Sequence, residues 1–199
     1  MPRGRYRQKQ WEERQEAILD ALTRLAAAHG FAEVTMDELA DEVGISKATL
    51  YQHFKSKDEM LAALIAAHTA RFMQWMAQTA HLAPVERLRQ VVRYLADGHM
   101  TPLRSLIQRE DLLPILERHP ELISQHHDMI AQLSEVIAEG QRQGQIATDL
   151  APQVIIRVMW LLSNVPHSEY TALRGNDTSP DRETYIAQIL KLFERGLRP

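Results

Sequence analysis

Cysteine is absent from this 199-residue chain, which excludes disulfides, zinc ribbons, thiol catalysis and cysteine-ligated clusters. A reducing, cytoplasmic setting is the expectation. Also missing is any apolar run near the roughly 18 residues that span a bilayer, and the charged start MPRGRYRQKQ has no apolar segment behind it. No membrane partner is expected. Phosphate loops, Gly-x-Ser-x-Gly, His-Glu-x-x-His and convincing carboxylate pairs are lacking too, and Gly140 to Gly144 (GQRQG) reads as a helix end, not a nucleotide loop. Neither an enzyme nor a cofactor is expected. Nine histidines invite a metal reading, but adjacent His126 and His127 point to different helix faces, and about 10 Å of helix rise separates His119 from His126. No metal site is expected.

What the chain does have is local charge. Its net of −3 argues against coating nucleic acid through bulk charge, yet Arg3, Arg5, Arg7 and Lys9 give residues 1–10 a charge of +4 with no acid. Residues 43–57 carry Lys47, Lys55 and Lys57, again with no acid. Between them, residues 11–42 hold two basic and nine acidic side chains, so two basic islands flank an acidic stretch. The basic start is either a solubilising tail or an arm that touches DNA, depending on what lies behind it.

The pattern is helical almost throughout: Ala, Leu, Glu, Gln and Arg dominate, apolar residues recur at three and four, and no strand or repeat appears. Helix 1 is expected from about Trp11 to His29, with Gly30 as its cap. Thr35-Met36-Asp37-Glu38 is a capping box that starts helix 2, which ends near Val43 at Gly44. Ser46 caps a short third helix from Lys47 to about His53. Ser56-Lys57-Asp58-Glu59 opens a fourth, to about Thr79. Prolines then punctuate further helices over 84–96, from Thr101-Pro102, from Pro120 to about Gln143, from Pro152 to about Ala172, and from Pro180 onward, with 174–179 as a loop.

Helices 2 and 3 have the skeleton of a helix-turn-helix. Small Ala40 lies four residues before Gly44, Val43 and Ile45 bracket the turn, and Leu50 points back to the core. The remaining residues of helix 3, Lys47, Thr49, Tyr51, Gln52 and His53, are read as an outer face free of acids, with the groups that bond phosphate oxygens and base edges.

Residues 35–61, TMDELADEVGISKATLYQHFKSKDEML, resemble the DNA-binding domain of the TetR family of transcriptional regulators, a likeness that extends over about 11–65. The resemblance implies an all-α fold of about nine helices. A basic arm, 1–10, would precede a three-helix DNA-binding domain, 11–57. Helix 4, about 57–79, would connect it to an effector-binding and dimerisation domain, 58–199. Carried over by position, Thr35 and Lys57 would contact phosphates at helix N-termini, while Ser46, Lys47, Thr49, Tyr51 and His53 would lie along the groove. Gln52, where relatives often have an aromatic, would bring an amide able to read adenine, and Ala48 a methyl close to the DNA. The arm at Arg3, Arg5 and Arg7 becomes a candidate minor-groove or backbone contact.

The resemblance further implies a homodimer on a palindromic double-stranded operator and a small-molecule effector. It assigns the dimer interface to the last two helices, where Val158, Leu162, Tyr185, Ile189, Leu192 and Phe193 are the candidates. Trp75, Tyr94, Met100, Met129 and Trp160 are candidates for the effector pocket. The expected function is a repressor released from its operator by the effector. An activator or an effector-independent DNA-binding protein of the same fold is the alternative.

Overall fold

Pro2 opens the first helix, α1 (Pro2–His29), at the position where its missing N–H costs nothing, and after Gly4 no glycine or proline interrupts the run before Gly30. In this computed structural model, which describes residues 2–97, 109–163 and 180–199 (side chains of 2–4, 109–113 and 163 excepted), the basic start is therefore helical and not an extended arm. The i,i+4 pairs Gln8–Glu12, Tyr6–Gln10 and Lys9–Glu13 run along it. This corrects the expected helix start at Trp11, which rested on reading a run of charge as tail.

The described residues form eight further helices and no strand: α2 (Met36–Val43), α3 (Lys47–His53), α4 (Lys57–Gln78), α5 (Pro84–Ala96), α6 (Arg109–Arg118), α7 (Pro120–Arg142), α8 (Pro152–Ser163) and α9 (Arg182–Leu197). None of these helices is long and apolar enough to cross a membrane. The helix start expected at Thr101-Pro102, the continuation of α8 to Ala172 and the loop at 174–179 lie outside the described residues.

Two compact units make up the chain, one of residues 1–70 and 100–125, the other of 71–99 and 126–199. In the first, α1 packs on α2 and α2 on α3. Its core is drawn from Ile18, Ala21 and Leu22 of α1, Val34, Leu39 and Ala40 around α2, and Leu50 and Phe54 at α3, all at most 4% exposed. In the same unit Arg118, at the end of α6, meets Asp58 in the first turn of α4 at 2.6 Å. In the second unit, α5 packs against both α8 and α9. The α9 face directed inward carries Ile186, Ile189, Leu190, Phe193 and Leu197. Gly140 is required by close approach, since a Cβ there would lie 2.5 Å from Ile146 Cδ1 and 3.1 Å from Pro84 Cβ.

Candidate nucleic-acid interface

Local chemistry fixes both helices of the candidate reading element. The Glu38 amide donates to Thr35 Oγ1 (3.2 Å) while the Thr35 amide donates to the Glu38 carboxylate (3.5 Å), so the capping box is formed in both directions. Gly44 closes α2 at φ 73°, a left-handed conformation that a side chain would strain, and its amide donates back to Asp41 O. Ser46 Oγ then accepts from the Thr49 amide (3.1 Å) and lies 2.8 Å from Thr49 Oγ1, which starts α3. At α4 the Glu59 amide donates to Ser56 Oγ (3.2 Å), but the Glu59 carboxylate accepts from Lys55 N, one residue before the expected partner.

Helical geometry sorts the α3 residues. Lys47, Ala48, Tyr51 and Gln52 fall within about 140° of one another and are exposed, as is Ser46, while Thr49 sits half-buried at the edge. Leu50 and His53, three apart, share the opposite face. His53 is only 7% exposed and stacks on Trp11 of α1, with ring centroids 3.7 Å apart. It does not belong to the groove-facing set. The expectation rested on its polarity, whereas its angular position beside Leu50 turns it inward. Trp11 was not singled out from the sequence, although it stands on the continuation of the α1 core stripe.

Each lysine of the basic island is engaged within the chain. The Lys47 ammonium bonds Asp37 at 2.7 and 2.9 Å, an exposed pair whose hydrogen bond raises the lysine above its ordinary range. Such pairs are weak and salt-screened, so Lys47 is free to exchange carboxylate for phosphate. Lys55 Nζ donates to Tyr51 O (2.8 Å). Lys57 Nζ donates to Phe31 O (3.0 Å) and Ala32 O (2.9 Å) and lies 5.0 Å from the Phe31 ring centroid. Instead of standing free at the start of α4, Lys57 ties it to the turn after α1. A phosphate contact by Lys57 would replace bonds that hold the fold.

Burial, with the positive field of Arg14 behind it, pushes the His53 imidazole below the usual histidine range, and its buried Nδ1 has no protein partner. The folded chain therefore holds this ring neutral and binds fewer protons there than the unfolded chain. His53 contributes stability above the unfolded value of about 6.5, and that contribution is lost progressively as pH falls below it. Melting curves across pH 5–8 are expected to show a steeper acid-side decline for the wild type than for His53→Phe, which keeps a ring against Trp11 but cannot titrate. Coincident pH profiles would exclude this role.

Of the arm residues, Arg5 and Arg7 stand on opposite sides of α1, about 200° apart, and the side chain of Arg3 lies outside the described residues. A helix about 10 Å across does not itself enter a minor groove about 6 Å wide, so a DNA contact from this helical start is made by side chains reaching from it and not by an extended arm lying in the groove.

In the second unit Trp75 and Tyr94 stack at 4.4 Å, and Phe72 lies 5.9 and 5.6 Å from them. Burial pushes the Tyr94 hydroxyl up, an effect Arg71 partly opposes. Met129 is buried, Trp160 half-buried, and Met100 outside the described residues. Of the expected pocket set, Trp75 and Tyr94 are in direct contact. Among the interface candidates Val158 and Leu192 are exposed, whereas Leu162 and Tyr185 are half-buried. Ile189 (7%) and Phe193 (4%) are buried within the protomer, which corrects their assignment to an outer surface: they continue the inward face of α9. Val154 and Leu161 are exposed as well, and i,i+4,i+7 spacing sets them beside Val158. Among the described residues no group of His, Asp and Glu is arranged to hold a metal.

Residues 18–64 match the family model for bacterial regulatory proteins of the tetR family. The chain is 31% identical over 157 residues to a Mycobacterium tuberculosis protein named as a mycofactocin biosynthesis transcriptional regulator, MftR, covering 77% of this chain and 76% of that one. It is 29% identical over 193 residues to the nucleoid occlusion factor SlmA of a Marinomonas species, covering 90% and 96%. Its fold is similar to that of the transcriptional regulator FadR of Bacillus subtilis, crystallised with stearoyl-CoA, with a TM-score of 0.69 at 19% identity over 92% of this chain and 99% of that one.

Proposed function

The chain belongs to the tetR family of bacterial regulatory proteins, which makes it a DNA-binding transcriptional regulator, and on that premise we propose that it acts as a dimeric repressor released from a palindromic operator by a small-molecule effector. The observation that carries this reading is the outward face of α3: Lys47, Ala48, Tyr51 and Gln52, exposed together with Ser46 and free of acid. Ser46 and Thr35, at capped helix starts, and Lys47 meet phosphates; Thr49, Tyr51 and Gln52 face the groove, where the Gln52 amide reads an adenine edge and Ala48 offers a methyl. Residues 11–57 supply the DNA-reading part and 58–199 the effector and dimer functions.

One reading helix covers too few base pairs to be selective, so two copies act on a twofold axis. The exposed apolar row on α8, Val154, Val158 and Leu161, with Leu192 on α9, is the surface we assign to the second copy. The effector is assigned to the aromatic group around Trp75 and Tyr94, with Trp160 and Met129 as further candidates; the stearoyl-CoA held by FadR is a precedent for a ligand within this fold. Effector binding shifts the population toward a dimer whose recognition helices no longer match successive major grooves, by no more than its differential affinity for the two states.

Binding titrations over a panel of operator variants test the reading role. Gln52→Ala is expected to change the rank order of variants at one position of each half-site, by about 1–3 kcal/mol of lost discrimination, with the melting temperature unchanged. An unchanged rank order removes Gln52 from readout. An effector that tightens DNA binding instead of weakening it assigns the activator, and a dimer that binds DNA alike with every small molecule tried favours the effector-independent reading.

A further inference from the structure

The stripe of α1 that faces the protein body changes character along its length. From Ile18 through Ala21, Leu22 and Ala26 it is buried core. Counting back at three and four residues, the same stripe continues through Arg14, Trp11 and Arg7. Trp11 still touches the body, since it stacks on His53 at the end of α3, but Arg14 and Arg7, one turn to either side of it, are exposed. The acids of this part of α1 lie on the other side: Glu12 bonds Gln8 and Glu13 pairs with Lys9, both more than 90° from the Arg7–Trp11–Arg14 line. Among the described residues neither arginine has an ion-pair partner; the ion pairs of α1 there are made by Lys9, Arg24 and His29.

This contrasts with the basic island of α3 and α4, where Lys47, Lys55 and Lys57 are each bonded within the chain. Among the described residues, Arg7 and Arg14 of α1 are cations near the reading helix that are held by no ion pair. Two guanidinium groups seven residues apart stand about 10 Å apart along the helix axis, far enough to meet separate phosphates. A planar guanidinium offers two parallel N–H groups to a phosphate, and contact with polyanionic DNA requires no internal bond to be broken here.

We propose that Arg7 and Arg14, held in place by the stacking of Trp11 on His53, form a second phosphate-binding strip that grips the DNA backbone just outside the bases read by α3. This rests on the operator-binding reading above and extends its footprint. The strip adds affinity and salt dependence without sequence preference.

The test uses the full chain and one duplex in two lengths, the operator alone and the operator with flanks, titrated across salt. Arg7→Ala/Arg14→Ala is expected to lower the slope of log affinity against log salt by about two on the flanked duplex and to weaken binding roughly tenfold or more at moderate salt, with the rank order of operator variants kept. Arg7→Lys/Arg14→Lys is expected to keep most of the slope, because the charges remain. Removing the flanks brings the wild type toward the alanine variant. Equal slopes for wild type and alanine variant overturn this proposal alone. So does an equal loss in the lysine variant, which would trace the effect to packing against α3. A wild type that selects no sequence overturns the operator reading, and this one with it.

Discussion

Val158→Asp/Leu161→Asp is expected to run as a monomer at micromolar concentration and to bind operator DNA about a hundredfold or more weaker than the wild type. The second half-site then no longer binds at the high effective concentration that a dimer provides. Helix α8 is apolar nearly all round. Ile155, Ile156 and Met159 are buried on one side, but Val154, Val158 and Leu161 leave 52%, 39% and 67% of their surface in water on the other. On α9 Leu192 is 65% exposed. Full burial of such side chains is worth about 1.5–3 kcal/mol each, enough in sum to hold a dimer once the cost of association is met. Two carboxylates buried without partners would more than cancel that gain. Light scattering checks the assembly and a DNA titration the affinity. A double variant that remains a dimer would remove this face from the interface.

Leu50→Ala is expected to destabilise the DNA-reading unit by about 2–5 kcal/mol, the range for a large-to-small change at a closed core site. Leu50 is fully buried, in a unit whose core also includes Ile18, Leu22 and Leu39 at 0% exposure. Against a total of about 5–15 kcal/mol for an ordinary domain, the loss takes a large share. It should lower the melting midpoint of this unit by at least about 10 °C. Operator affinity then falls in proportion to the folded fraction, and for every DNA sequence alike. Gln52→Ala, two residues away on the exposed face, is expected to do the reverse, leaving melting unchanged and altering preference. Melting curves and titrations on the two variants together separate the packing face of α3 from its reading face.

How legible each part was in the sequence follows from how local its cause is. The bounds of α2 and α3 were readable because they are set by side-chain-to-backbone bonds within three residues, Thr35 with Glu38 and Ser46 with Thr49, and by Gly44 at positive φ. Pro84, Pro120 and Pro152 marked their helices for the same reason. The start of α1 is obscure in the sequence because a row of arginines suits a helix as well as a tail, so charge alone does not distinguish the two. His53 was placed on the outer face by its polarity, yet its angle beside Leu50 and the distant Trp11 decide its surroundings. Lys57 is likewise claimed by the carbonyls of Phe31 and Ala32, a contact 25 and 26 residues back that no spacing rule signals. On α9 the apolar period was clear, but α5 covers one face and leaves Leu192 out, so Ile189 and Phe193 went inward. Periodicity defines a face, and only packing says which face is covered.

The most direct test of the central claim is a footprint of the purified chain on the promoter of its own gene and on neighbouring promoters. A protected palindrome is expected, with half-sites on one side of the duplex about 34 Å or a multiple apart, and with protection lost in Val158→Asp/Leu161→Asp. Protection without a palindrome, or a palindrome that the monomeric variant covers as fully as the wild type, would contradict it.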